Sequence, residues 1–132
     1  HTDGDAVVHF TEADVVHMGD IFWANRYPFI DTGSGGSTRG TIAAVDAVIA
    51  MISESTKVIP GHGTEIADRA GLVAYRDMIE TVADRIQAGI DAGKTLEQVQ
   101  ADKPTADWDE THGQGFVKPD VWVKMIYEDL SR

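Results

Sequence analysis

Two long helical patterns separated by one short apolar run restrict the fold of this chain more than any other feature. The first pattern predicts a helix over about residues 37 to 53, and the second predicts a helix that ends near Gly93, where glycine can adopt a left-handed cap. Between them, Lys57-Val58-Ile59 is a three-residue strand that Pro60-Gly61 stops. The apolar residues recur at steps of three and four: Thr41, Ile42, Val45, Val48, Ile49 and Ile52, then Leu72, Tyr75, Met78, Ile79, Val82, Ile86 and Ile90.

Two further apolar runs precede these helices. Residues 6–10 (AVVHF) and 14–18 (DVVHM) are rich in β-branched side chains, and their short polar separation predicts a hairpin. Later in the chain, Thr95 and Gln98 form a capping-box pattern, and Pro119 can begin a final helix. The predicted order of two strands, a loop, a helix, a strand and three helices is typical of α/β or α+β layers in a single domain over residues 1–132.

Composition excludes several classes of protein. The 22 acidic and 11 basic residues give a net charge of -11, which disfavours nucleic acids and anionic membrane surfaces as partners. No cysteine is present, so disulfides and thiolate metal sites are excluded, while the cellular compartment stays undecided. No apolar stretch approaches the roughly 20 residues that span a bilayer.

Three side chains of metal-ligating type lie beside turns next to the predicted strands. His1 precedes the first strand, Asp20 follows the second, and His62 lies between two glycines after the third. Loops at strand ends can direct several side chains to one point, so these residues are candidate metal ligands. The alternatives are a frayed terminus, a loop cap and a histidine that tolerates a glycine turn. Asp3 and Asp5 could orient His1 as hydrogen-bond acceptors, although Asp3-Gly4 also fits a simple turn.

The segments HTDGDAVVHF, DVVHMGDIF and KVIPGHGT resemble, in order and spacing, the later half of metallo-β-lactamase-superfamily hydrolases. The similarity extends through the SGGS loop and the following helices, and it covers most of the chain. It implies half of an αβ/βα sandwich, with one mixed sheet flanked by helices.

The same resemblance implies a function and a set of ligands. His1 matches a metal-ligand histidine, Asp20 matches the carboxylate that bridges or completes a two-metal site, and His62 matches the last histidine ligand. One or two Zn²⁺ ions would activate a hydroxide for the hydrolysis of an ester, thioester or lactam in a small-molecule substrate. The resemblance also places Trp23, Tyr27 and Phe29 near the mouth of the pocket, with core or interface packing as the alternative.

One departure from the family pattern limits this prediction. The superfamily carries an earlier His-x-His-x-Asp-His motif, and this sequence contains no His-x-His. The chain alone is therefore expected to form an impaired site, with one sheet face left apolar and uncovered. A homodimer or a missing N-terminal half would cover that face. The alternative function is a noncatalytic half-domain that self-associates or binds metal. His9, His17 and His112 are expected to be packed or solvent-facing rather than ligands.

Overall fold

The computed structural model describes all 132 residues. Its three strands are β1 (Val8–Phe10), β2 (Val15–His17) and β3 (Lys57–Ile59). The helices are α1 (Thr38–Met51), α2 (Arg69–Asp91), α3 (Leu96–Ala101), α4 (Asp109–His112) and α5 (Pro119–Leu130). None of the helices combines the length and the apolar composition needed to cross a membrane.

The strands form one mixed sheet in the order β1-β2-β3. The hairpin of β1 and β2 is antiparallel, whereas β2 and β3 run parallel, with α1 as the crossover between them. This arrangement confirms the predicted class, a small mixed sheet flanked by helices. The strand after α1 has the predicted bounds, while the first two strands are shorter than the apolar runs that predicted them.

One face of the sheet packs against the helices. Val16 of β2 and Val58 of β3 are fully buried there and belong to the same apolar core as α1, α2 and α5. Burial of a Val, Leu or Ile side chain contributes roughly 1.5 to 3 kcal/mol, so this face supplies much of the stabilisation of the sheet. Deeper in the helical layer, the rings of Tyr27 and Trp122 stack with centroids 4.3 Å apart.

The opposite face of the sheet is open to solvent. Side chains on a strand alternate between faces, and cross-strand partners share a face. The register pairs Val8 with His17 and His17 with Ile59, so these three lie on the face opposite Val16. Phe10 lies on the open face as well, and Val8 and Phe10 remain 49% and 53% exposed. The molecule therefore presents a sheet face that none of its own helices covers. It is apolar on β1, while β2 and β3 add the exposed polar side chains of His17 and Lys57.

Local capping explains where the helices begin. Ser37 accepts a hydrogen bond from Gly40 N at the start of α1, and Asp68 accepts one from Gly71 N at the start of α2. Thr95 and Gln98 form the predicted capping box of α3, and Pro119 is the first residue of α5. The side-chain caps of α1, α2 and α3 satisfy amide groups that the first turn of a helix leaves without partners. In α5 no side chain caps the first turn, and Pro119 has no amide proton to satisfy.

Two regions contain elements that the sequence does not predict. Asp109–His112 forms the one-turn helix α4, in which Glu110 is exposed to solvent. A single turn carries no readable period, and Asp109 Oδ1 is held by the Tyr27 hydroxyl at 2.8 Å, a contact between residues far apart in sequence. The loop between β2 and α1 also contains two short 3-10 turns, Gly19–Ile21 and Thr32–Ser34.

Candidate metal centre

The sheet topology brings the three candidate ligands to one end of the sheet. His1 lies before β1, Asp20 lies in the turn after β2, and His62 lies in the loop after β3. Strand β1 is antiparallel to β2, and β3 is parallel to it. The start of β1 and the last residues of β2 and β3 therefore lie at the same end of the sheet. Residues separated by up to 61 positions therefore become neighbours.

The Asp20 carboxylate lies between the two imidazoles. Its Oδ2 is 3.4 Å from His1 Nε2, and its Oδ1 is 3.3 Å from His62 Nε2. Each histidine thus contacts a different oxygen of the same carboxylate. The side chains are partly accessible, with exposed fractions of 20% for His1, 37% for Asp20 and 46% for His62.

Two glycines allow the loops to approach this closely. Gly19, just before Asp20, has a φ of +52°, a left-handed conformation that glycine adopts without strain. A Cβ on Gly61 would overlap the Gly19 carbonyl and lie 2.6 Å from Asp20 Oδ1. The loop that carries His62 can reach Asp20 only because position 61 has no side chain.

His1 is oriented by Asp5. Its Nδ1 is 2.9 Å from Asp5 Oδ1, and the same carboxylate accepts hydrogen bonds from Thr2 N and Thr2 Oγ1 at 3.0 Å each. An Nδ1–H donated to a carboxylate leaves Nε2 as the unprotonated nitrogen of a neutral ring, which is the form that binds metals. Asp3 has no such contact with His1: its amide donates to Ser34 O at 3.1 Å, and its side chain lies over Gly35.

The three aromatic candidates occupy different environments. Trp23 is buried with its ring 3.9 Å from that of His62, and its Nε1 donates to Asp20 O at 2.9 Å. Phe29 is partly buried and lies edge-on to His1 at 6.4 Å between centroids. Tyr27 is fully buried against Trp122, and burial raises the pKa of its phenol. Trp23 and Phe29 border the centre, while Tyr27 belongs to the core.

The three ligand candidates do not make a complete site by themselves. No group of three or more His, Cys, Asp or Glu side chains has the arrangement that would enclose a metal ion. The contacts explain why. The two histidines contact different oxygens of Asp20, so an ion beside either oxygen would have one imidazole and one carboxylate oxygen as ligands. Structural or catalytic zinc takes three or four protein ligands per ion. A zinc ion beside either oxygen would need at least one further ligand from outside this set.

The remaining histidines lie apart from this centre. His17 is exposed on the open sheet face, where its Nδ1 accepts a hydrogen bond from Gly19 N. His9 forms no hydrogen bond or ion pair with the three candidates. His112 is half-buried beside Tyr27, with its Nδ1 2.7 Å from Thr111 Oγ1.

The sequence analysis missed two contacts that shape the centre, the Trp23–His62 stack and the close approach at Gly61. The stack follows from a parallel bridge between Trp23 and His62, which depends on how two distant loops meet. The glycines on both sides of His62 were the sequence signal for the close approach at Gly61, because a glycine leaves room for a neighbouring backbone. No family model matches the chain, and no curated protein matches it significantly.

Proposed function

We propose that the chain supplies the C-terminal half of a zinc-dependent hydrolase of the metallo-β-lactamase superfamily. The observation that carries this proposal is the Asp20 carboxylate between His1 Nε2 and His62 Nε2. A carboxylate that offers one oxygen to each of two imidazoles is suited to lie between two metal positions. The resemblance of the surrounding loops to that superfamily adds independent support.

The donor set fits zinc in chemistry and spacing. Imidazole nitrogen and carboxylate oxygen are both zinc ligands, with bonds of about 2.0 to 2.2 Å. Two ligands on one tetrahedral ion are then separated by about 3.3 to 3.6 Å, and the two nitrogen–oxygen distances at Asp20 are 3.4 and 3.3 Å. Asp5 also holds the His1 ring with Nε2 turned toward Asp20.

Within this centre each residue has a defined task. His1, Asp20 and His62 would hold the metal, which when bound lowers the pKa of a coordinated water and polarises a scissile carbonyl. Asp5 fixes the orientation of His1, and Trp23 covers one face of the His62 ring. The substrate class is an ester, thioester or lactam of a small molecule. The ligands that complete each position would come from a segment that carries the His-x-His-x-Asp-His motif.

Zinc binding by the isolated chain tests this proposal. We expect weak binding, measured by isothermal titration calorimetry with zinc chloride, because each position has two of its ligands. The substitutions His1→Ala, Asp20→Asn and His62→Ala should each lower the affinity at least tenfold, since each removes or weakens a donor. Circular dichroism should remain unchanged, because all three side chains are partly exposed.

His9→Ala is the matched control, because His9 contacts none of the three residues and its loss should leave zinc binding unchanged. Equal zinc affinity in the parent chain and all three site variants would refute the proposed centre. Equal loss in the His9 variant would indicate nonspecific binding to surface histidines.

A second function, a noncatalytic assembly module, is favoured by the open sheet face with Val8 and Phe10 exposed. In that case the half-domain would bind a second copy or a separate half through this face without turnover. Zinc binding separates the hydrolase from a module that only self-associates. A noncatalytic half-domain that binds metal would also use His1, Asp20 and His62, so hydrolysis of an ester, thioester or lactam, assayed with the segment that completes the ligand set, distinguishes the two functions.

A further inference from the structure

A cleft of about 320 Å³ lies beside the metal centre, between the loops after β2 and β3 and helices α2 and α4. Eight of its twelve lining residues are hydrophobic, among them Phe22, Tyr75, Met78 and Trp108. Small-molecule sites typically enclose about 300 to 1,000 Å³ with mostly apolar walls and a few polar groups. The cleft has the apolar lining of such a site, and its volume lies near the lower limit of this range.

The cleft is separate from the metal centre. Neither Asp20 nor His62 lines it, and the segment at residues 22–25 lies between the two. Side chains alternate along this segment: Trp23 faces His62, whereas Phe22 and Ala24 face the cleft. A ligand in the cleft would not touch the proposed metal ligands.

The polar groups of the cleft favour a positively charged ligand. Glu65 and Asn25 lie at its rim, with Asn25 Nδ2 donating to Glu65 Oε2, and no lysine or arginine lines it. His112 and Tyr75 are the other titratable groups. Burial lowers the pKa of the His112 imidazole and raises the pKa of the Tyr75 phenol, so both are neutral at pH 7. The carboxylate of Glu65 is therefore the one charge that faces the cleft, and it keeps an oxygen free of Asn25.

Aromatic side chains supply part of the apolar wall, and the Arg85 guanidinium covers one face of Trp108 at 5.5 Å from the ring centroid. Trp108 and Tyr75 line the cleft, and aromatic walls pack well against a planar apolar ring. Tyr75 cannot offer its hydroxyl proton, because that group donates to Ile21 O at 3.0 Å. We propose that the cleft binds a small aromatic amine, with the ring against Trp108 and Met78 and the ammonium group toward Glu65.

Three probes of similar shape test the proposal: benzylamine, benzyl alcohol and benzoate. Two-dimensional amide NMR of the chain at pH 7 should give saturable shifts with benzylamine, confined to residues 22–25, 65–67, 71–78 and 108–112. Benzyl alcohol should bind two- to fivefold more weakly, because it lacks the charge that Glu65 attracts. Benzoate should produce no saturable shift. Equal affinity for the three probes, or no saturable shift with benzylamine, would overturn the proposal.

Substitutions locate the binding site. Glu65→Gln should weaken benzylamine two- to fivefold and leave benzyl alcohol unchanged, whereas Glu12→Gln in the β1-β2 turn should change neither. Ala74→Phe should abolish binding of both, because its ring would occupy the cleft; if this variant does not fold, Glu65→Gln decides alone. An unchanged benzylamine affinity in Glu65→Gln would overturn the assignment. His62→Ala should retain benzylamine binding, which separates failure of this proposal from failure of the metal centre.

Discussion

The indole ring of Trp23 lies against the imidazole of His62, with centroids 3.9 Å apart and planes inclined by 32°. The same indole donates its Nε1 proton to the Asp20 carbonyl oxygen at 2.9 Å. Trp23 therefore connects the loops of two candidate ligands that are 42 positions apart in sequence.

Replacing Trp23 should affect both stability and zinc binding. Trp23→Ala should lower the free energy of unfolding by about 3 to 5 kcal/mol, since it removes a large buried ring. Trp23→Phe keeps a ring against His62 but loses the hydrogen bond to Asp20, so a loss of about 1 kcal/mol is expected. Urea unfolding measures both values. Trp23→Phe should retain most of the zinc affinity, and a complete loss would mean that the hydrogen bond, rather than the stack, orders the centre.

Asp5 and Asp3 offer a matched pair of substitutions. Asp5→Asn should weaken zinc binding about tenfold, because a carboxylate that holds the second nitrogen of a ligand histidine raises the basicity of that ligand. Asp3→Asn makes the same chemical change at a side chain without contact to His1 and should leave the affinity unchanged. Calorimetric titration with zinc measures both. Equal effects of the two substitutions would point to net charge rather than orientation of His1.

The hairpin, the crossover helix and the third strand could be predicted because each depends on local sequence. The signals are short runs of β-branched residues, the helical spacing of apolar residues, and the proline and glycine residues that end an element. The approach of His1, Asp20 and His62 to one another could be anticipated from their places beside turns at the strand ends, while their role as metal ligands stays a prediction. The Trp23–His62 stack could not, since it depends on how two loops meet in space. Helix α4 also escaped prediction, because one turn has no period and its place depends on the distant contact between Tyr27 and Asp109.

Gly61 should not tolerate a side chain. Gly61→Ala would place a Cβ against the Gly19 carbonyl and 2.6 Å from Asp20 Oδ1, so the two loops must separate. Overpacking of this kind costs about 1 to 3 kcal/mol, and the separation should also weaken zinc binding. Gly4→Ala is the control, because its nearest neighbour would be 3.9 Å away. Thermal unfolding compares the two, and an equal melting temperature would show that the loops have room at position 61.

Acid should destabilise the fold partly through His112. Burial lowers the pKa of this imidazole from its ordinary value of 6.5. As the pH falls below about 6.5, the unfolded chain binds a proton there that the folded chain does not, so the free energy of unfolding decreases. Above that pH the residue makes no pH-dependent contribution. His112→Gln should flatten this part of the profile in urea unfolding between pH 5 and pH 7, whereas the exposed-site change His17→Gln serves as the control. Identical slopes for His112→Gln and the parent chain would contradict the assignment.

The open sheet face should make the chain self-associate. Val8 and Phe10 are about half exposed on β1, which is also an edge strand with unpaired backbone groups. Two copies that pack this face together would bury both side chains, and two-fold pairing is the commonest closed arrangement. Sedimentation velocity should therefore show a concentration-dependent species above the 14.3 kDa monomer.

A charge at the exposed phenylalanine of β1 should abolish the association. Phe10→Lys places an ammonium group among apolar side chains, which opposes burial by another copy and should leave the chain monomeric at every concentration. Phe116→Lys is the matched control, because Phe116 is 79% exposed but lies in the loop before α5, away from the sheet. If the parent chain is already monomeric at millimolar concentration, a second copy does not cover the face, and the remaining candidate is a separate half that carries the missing ligands. If Phe116→Lys dissociates the assembly and Phe10→Lys does not, the interface lies at the α4-α5 loop instead.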